Sequence, residues 1–182
     1  MVSRAALFRF LAIYLFLGAA IYFVVSFIAF CFINYHYDGN YDLGVVTNEY
    51  TLLAIFVAPW LENLIAALIV LGTNAVGQTL PRLLNTLRKN KRRYSFLNVG
   101  VPSFILALGL IYLVVLMTHS LPPGFFTGAL FIIMSFIMFK GKPLRISLLS
   151  FLGSCIVHLQ YNFLSLLIGR QYFEAVQQMF IS

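Results

Sequence analysis

Residues 5–33 read AALFRFLAIYLFLGAAIYFVVSFIAFCFI, an apolar run in which Arg9 is the only charged side chain. A helix needs about 20 apolar residues to cross the hydrocarbon core of a bilayer, and this run exceeds that length. A secretory signal has an apolar centre of roughly 7–15 residues followed by a cleavage site. The run is longer and has no convincing cleavage site, so we expect a retained first membrane-spanning helix.

The composition of the whole chain is that of a membrane protein. Of its 182 residues, 62% are hydrophobic and 9% are charged, whereas an ordinary soluble domain has roughly 25% charged residues. So few charges cannot cover the surface of a water-soluble fold of this size. The 19 Phe and 10 Tyr exclude intrinsic disorder. Cys31 and Cys155 both lie in apolar runs, where we expect them to pack and not to form a disulfide.

Four more apolar stretches follow the first one. They cover residues 52–71, 99–117, 125–139 and 144–168. The stretch 125–139, the fourth along the chain, is short for a membrane span. The last residues of the chain have apolar side chains at a helical spacing that suits the membrane surface. We therefore predict an all-α, polytopic membrane helix bundle with about five transmembrane helices. Its parts are an N-terminal helix with an outer loop (1–49), a four-helix core (50–170) and a C-terminal tail (171–182).

The charged residues assign the connections to the two sides of the membrane. Residues 34–50 carry three acids and no Lys or Arg, whereas residues 82–93 carry six basic side chains and residues 140–145 carry three. Because cytoplasmic loops are enriched in Lys and Arg, we expect a cytoplasmic N-terminus and an external C-terminus. This placement accounts for the net charge of +7 without a nucleic-acid partner. The stretch 88–93 is also a candidate for contact with anionic lipid.

Polar side chains inside the predicted spans mark a candidate site, because an ionisable group in hydrocarbon is costly and usually functional. Glu62 is the only acid within these spans, and Ala58 and Ala66 lie four residues to either side of it. Small residues at this spacing let a neighbouring helix approach closely. His119 closes the third stretch. On the fifth stretch, polar residues recur every four positions and so share one helical face: Ser150, Ser154, His158 and Asn162.

These groups suit two kinds of chemistry, and they also have a purely structural interpretation. A buried carboxylate can accept a proton from water, and an imidazole and an amide can donate hydrogen bonds to an oxyanion. Glu62, His119, His158 and Asn162 would together hydrolyse an amide bond. The carboxylate and the two imidazoles are also a plausible zinc set with an open water position. Alternatively, Ser, Asn and His form hydrogen bonds between membrane helices without any catalytic role.

The order of these residues resembles the CAAX-protease and bacteriocin-processing family of glutamic-type intramembrane proteases. That family has Pro-x-x-Glu-Glu-x-x-x-Arg on one helix, Phe-x-x-x-His on the next and, after a short helix, His-x-x-x-Asn or Asp. Over residues 50–170, this chain has three similar segments: Pro59-Trp60-Leu61-Glu62-Asn63, Val115 to His119, and His158 to Asn162. It departs from the family at three positions, where the second Glu, the Arg and the Phe are replaced by Asn63, Ala67 and Val115.

The resemblance implies an intramembrane endopeptidase that acts on a membrane-associated protein or peptide. By this resemblance, Glu62 with one His would activate water, while the other His and Asn162 would stabilise the oxyanion. The resemblance implies a mechanism without a covalent intermediate and without a cofactor. The alternative is a zinc-dependent mechanism. Two other classes stay open: an inactive relative that binds a membrane protein as an immunity or assembly factor, and a small transporter subunit with Glu62 as its ion site. We expect no nucleic-acid partner, and we expect the protein to reside in the inner membrane of a bacterium.

Overall fold

The computed structural model describes residues 3–37, 56–86, 98–118, 123–141 and 144–181. Within these ranges the protein is all-α, with one short antiparallel pair of two-residue strands. The helices are α1 (Arg4–Tyr37), α2 (Ala58–Thr86), α3 (Val101–Thr118), α4 (Pro123–Met138) and α5 (Leu148–Ile181). The strands are β1 (Asn98–Val99) and β2 (Leu144–Arg145).

The helices confirm the predicted all-α membrane fold. Four of them are long and apolar enough to span a membrane, over Arg4–Ile28, Ala58–Thr79, Val101–Thr118 and Leu148–Ile168. The fourth helix is shorter, with an apolar part over Phe126–Met138, as its sequence predicts. α2 and α5 extend furthest beyond the apolar stretches from which they are predicted. α2 continues to Thr86, and α5 continues without a break through the predicted tail to Ile181.

The chain folds as two compact units, one formed by residues 62–152 and one by residues 1–61 with 153–182. In the 62–152 unit, α3 and α4 form an antiparallel hairpin. Phe104, near the start of α3, packs edge-on against Phe136, near the end of α4, with ring centroids 5.2 Å apart. Further along the hairpin, the ring of Tyr112 lies directly against Gly128.

The β1–β2 pair closes the open end of this hairpin. β1 precedes α3 and β2 follows α4, with Val99 opposite Leu144. The beginning of α3 and the end of α4 therefore lie at the same end of the 62–152 unit. α4 has 16 residues and α3 has 18, which correspond to lengths of roughly 24 and 27 Å. The short helix thus returns the chain over nearly the whole length of its partner.

The core of the 62–152 unit is apolar. Its residues belong to α2, β1, α3 and α4, with one more directly after α4. Small side chains come from α2, and larger aliphatic and aromatic ones come from α3 and α4. Close approach by small residues is how membrane helices gain packing energy, since lipid tails are as apolar as leucine. The buried residues are Ala66, Ala67, Val70, Val99, Phe104, Ala107, Ile111, Val115, Phe131, Met138 and Phe139.

Two polar contacts fix helix starts in this unit. The Gly100 N–H donates to the Asn74 side-chain oxygen at 3.2 Å, which ties the residue before α3 to α2. The Ser150 N–H donates to Ser147 Oγ at 3.1 Å. Ser147 is therefore the N-cap of α5, because its oxygen satisfies a backbone donor that the first turn leaves without a helical acceptor.

In the other unit, α1 packs along α5. Its contacts pair Tyr14 with Gly153, Gly18 with Val157 and Gln160, and Tyr22 with Tyr161. Residue numbers rise together along both helices, so the two run parallel. Parallel packing agrees with the predicted topology, in which the first and fifth helices cross the membrane in the same direction. Which side is cytoplasmic stays a prediction.

Candidate functional site

Glu62 lies in the second turn of α2 and is half-buried. Pro59 is the second residue of α2, and proline is tolerated in the first turn of a helix. Of the residues forecast beside the carboxylate, Ala66 is buried and Ala58 is half-buried. Glu62 is the only acid in the four candidate spans. Since an acid at this depth is costly, it is the residue of α2 with the strongest functional signal.

The polar stripe of α5 faces the protein interior. Ser150 and Ser154 are buried, His158 is only 3% exposed, and Asn162 is half-buried. His158 and Asn162 are one turn apart on the same face of the helix, where side chains four residues apart are neighbours. An imidazole and a carboxamide are both side chains that can donate hydrogen bonds to an oxyanion, and here they lie one turn apart on one face.

The stretch before His158 contacts the beginning of α2. The Cys155 thiol lies 4.0 Å from the carbonyl oxygen of Pro59 and donates a weak hydrogen bond to it. Cys155 is buried, as its place in an apolar run predicts. The contact joins Pro59, which opens one segment that resembles a family motif, to a residue three positions before His158, which opens another.

α1 packs on the face of α5 next to the polar stripe. Three of its contacts on α5, at Gly153, Val157 and Tyr161, each fall one residue before a member of the stripe, and a fourth is at Gln160. One residue corresponds to a rotation of roughly 100° about the helix axis. α1 therefore holds the flank of the face that carries His158. The sequence predicts this helix as an N-terminal addition to the core, and its packing against α5 is a finding of the structure.

A hydroxyl cluster links α1 and α5 beyond this flank. Ser26 hydrogen-bonds to the side chains of both Tyr22 and Tyr161. Further along α5, the Tyr172 hydroxyl donates to the Phe23 carbonyl oxygen at 3.3 Å. Rings also pack directly, with Phe23 and Tyr172 centroids 5.4 Å apart. This cluster could not be predicted from the sequence, because tyrosines near the ends of apolar runs are expected at the membrane interface.

His119 lies outside the described residues, directly after the end of α3. Thr118 is the last residue described before His119, and its hydroxyl donates hydrogen bonds to the carbonyl oxygens of Val114 at 2.9 Å and Val115 at 3.2 Å. The predicted zinc set of Glu62, His119 and His158 is therefore untested. Among the residues that the structure describes, no three His, Cys, Asp or Glu side chains are grouped closely enough to hold a metal ion.

The three departures from the family pattern are all buried. Asn63 is fully enclosed on α2, and Ala67 and Val115 belong to the apolar core of the 62–152 unit. At position 67 the family has an arginine, whereas here the side chain is a methyl group packed among hydrophobic neighbours. The positions that would carry an ion pair in the family therefore carry an amide and a packing residue.

The structure brings two of the four predicted site residues together on one helix. His158 and Asn162 are adjacent on α5, Glu62 is on α2 in the 62–152 unit, and His119 is outside the described ranges. Asn74, which its place near the end of a span predicts to be interfacial, is 1% exposed and accepts a hydrogen bond from the Gly100 N–H. No protein-family model, no curated protein and no solved structure matches this chain.

Proposed function

We propose that the protein is an intramembrane endopeptidase that hydrolyses a peptide bond of a membrane-associated protein or peptide. The observation that carries this proposal is the pair of buried His158 and half-buried Asn162 on one face of α5, in a chain whose only acid within the candidate spans is Glu62. Buried polar side chains in a membrane protein are costly and usually line a site. Their order along the chain is also the order of the catalytic groups in the family that the sequence resembles.

The proposed reaction needs no covalent intermediate. Glu62, assisted by one imidazole, accepts a proton from water as the water oxygen attacks the carbonyl carbon of the scissile bond. The negative charge that develops on the carbonyl oxygen is stabilised by donors from the second imidazole and the Asn162 amide. The amide nitrogen then takes the proton, and the C–N bond breaks to give a carboxylate and an amine. His119 and His158 share the two imidazole roles.

We further propose that the site works without a cofactor and that the protein resides in the inner membrane of a bacterium. The substrate is a peptide or protein in or near the bilayer, and no nucleic acid takes part. If zinc were the catalyst instead, Glu62, His119 and His158 would be its ligands. Chelation separates the two mechanisms, because a glutamic-type enzyme keeps its activity in a chelator and a zinc enzyme loses it.

A second candidate function is a binding protein of the same family that has lost catalysis. The observation that favours it is the burial of Asn63 and Ala67, which replace an acid and a base of the family motif. In that case the polar stripe on α5 recognises a membrane peptide, as an immunity or assembly factor would, without cleaving it.

Copurification distinguishes the two candidates. Tagged wild-type protein and Glu62→Gln are isolated from membranes at equal abundance, and bound proteins are identified by mass spectrometry. An enzyme releases its products, so we expect an uncut membrane polypeptide to accumulate on Glu62→Gln and to be scarce on the wild type. Equal recovery of the same intact polypeptide on both would contradict the protease and support the binding protein. Glu174→Gln, an exposed acid outside the spans, is the matched control and should behave as the wild type.

A further inference from the structure

Positive charge is concentrated in two stretches of the sequence, one before β1 and one after α4. From Asn63 to Phe173 the sequence contains no Asp or Glu, yet nine of the twelve Lys and Arg residues lie in residues 82–93 and 140–145. These two connections are far apart in sequence. Orientation by the positive-inside rule is a tendency of each loop by itself and does not require them to meet.

The structure pairs the residues just before α3 with the end of the second basic stretch. Asn98 pairs with Arg145 and Val99 pairs with Leu144 in the antiparallel ladder. We call this ladder, together with Lys140 and Gly141 after α4, the clasp. Val99 is buried in the core, so the clasp is anchored to the helices beneath it. Gly141, at φ 132°, lets the chain turn directly after Lys140, since that backbone conformation disfavours residues with a Cβ. The sequence places Arg88, Lys89, Lys91, Arg92 and Arg93 between α2 and β1, outside the described residues.

The basic side chains of the clasp are exposed and close to the ends of membrane helices. Lys140 follows the end of α4 by two residues, and Arg145 precedes the start of α5 by three. Both side chains are exposed. A cation within a few residues of a span lies at the depth of lipid headgroups, where basic groups are attracted to anionic phospholipids. A nucleic acid would have to approach from the water phase, so this depth favours lipid as the occupant.

We infer that the clasp is a binding site for anionic phospholipid headgroups, in which Lys140 and Arg145 contact the phosphate. This inference is independent of the proposed proteolysis, because it uses no residue of the candidate active site.

The test measures binding of short-chain phosphatidylglycerol and phosphatidylcholine to the delipidated full-length protein in neutral detergent. Each basic group near an anionic surface contributes about 1 kcal/mol, so K140Q/R145Q should bind phosphatidylglycerol roughly 30-fold more weakly than the wild type. The matched control is R4Q/R9Q, which removes two exposed arginines from the start of α1 and should leave the affinity unchanged. Phosphatidylcholine should bind weakly to all three proteins.

Three results would overturn the inference. One is equal affinity for the two lipids, and another is an equal loss in both double variants, which would indicate attraction to net charge alone. A third is tighter binding of short duplex DNA than of phosphatidylglycerol at the same salt concentration. Thermal unfolding of each variant without lipid provides the check on folding, and because the substituted side chains are exposed we expect unchanged midpoints.

Discussion

Gly18 of α1 and Gln160 of α5 are in such close contact that a Cβ atom on Gly18 would lie 2.9 Å from the Gln160 Cβ. It would also lie 3.3 Å from the Val157 Cα, which is backbone and cannot rotate away. Glycine at this position therefore sets how closely α1 approaches the helix that carries His158. Because dispersion forces depend steeply on distance, this approach accounts for much of the attraction between the two helices in a bilayer.

Substituting Gly18→Ala should destabilise the protein, because the added methyl group forces the two helices apart. Overpacking of this kind costs about 1–3 kcal/mol. The matched controls are Gly72→Ala and Gly109→Ala, whose added Cβ atoms would meet nothing within 4 Å. These should be neutral or stabilising by up to about 1 kcal/mol, since alanine is the better helix former. Unfolding in detergent checks this, and equal effects at all three glycines would contradict the packing of α1 on α5.

The predicted orientation can be measured with the two cysteines. Cys155 is buried, whereas Cys31 is partly exposed just past the end of the first span at Ile28. With a cytoplasmic N-terminus, a membrane-impermeant maleimide should label Cys31 in sealed right-side-out vesicles and fail to do so in inside-out vesicles. Cys31→Ser should abolish the labelling of folded protein, and denaturation should then reveal Cys155. Labelling confined to inside-out vesicles would reverse the topology.

Asn162→Ala should reduce the rate of proteolysis while leaving the amount of folded protein unchanged. Removing one oxyanion donor costs about 10²- to 10³-fold in rate in well-studied hydrolases. The control is Ser165→Ala, an exposed hydroxyl three residues further along α5, which should retain wild-type turnover. The measurement is product formation per folded molecule. A loss of activity no larger than that of the control would remove Asn162 from the proposed site.

The sequence was sufficient to predict the helices but not their partners. Apolar runs locate spans reliably, because a lipid-facing helix must be apolar over its whole length. This is why the short α4 and the buried stripe on α5 could both be anticipated. Apolarity does not report helix formation outside the bilayer, where the backbone still forms hydrogen bonds. α2 therefore extends past Leu71 to Thr86, and α5 reaches Ile181, through residues that are too polar to signal a span.

Contacts between distant parts of the chain left little trace in the sequence. Gly18 and Gly153 could be recognised as small residues in apolar runs, but nothing in their spacing says that one faces Gln160 and the other faces Tyr14. The role of Asn74 was missed for a similar reason. Its acceptor oxygen binds the Gly100 N–H, and that donor is apparent only when the three-dimensional arrangement of α2 and the start of α3 is known.

The central claim, that Glu62 activates water for peptide hydrolysis, is tested most directly by terminal-peptide mass spectrometry. Membrane and secreted peptides are compared among cells that carry wild-type protein, Glu62→Gln, His158→Ala or Glu174→Gln at equal abundance. We predict a set of new peptide termini in wild type and Glu174→Gln that is absent from Glu62→Gln and His158→Ala. Identical termini in all four strains, under conditions where loss of the protein has an effect, would contradict hydrolysis and leave the buried polar residues with a binding or packing role.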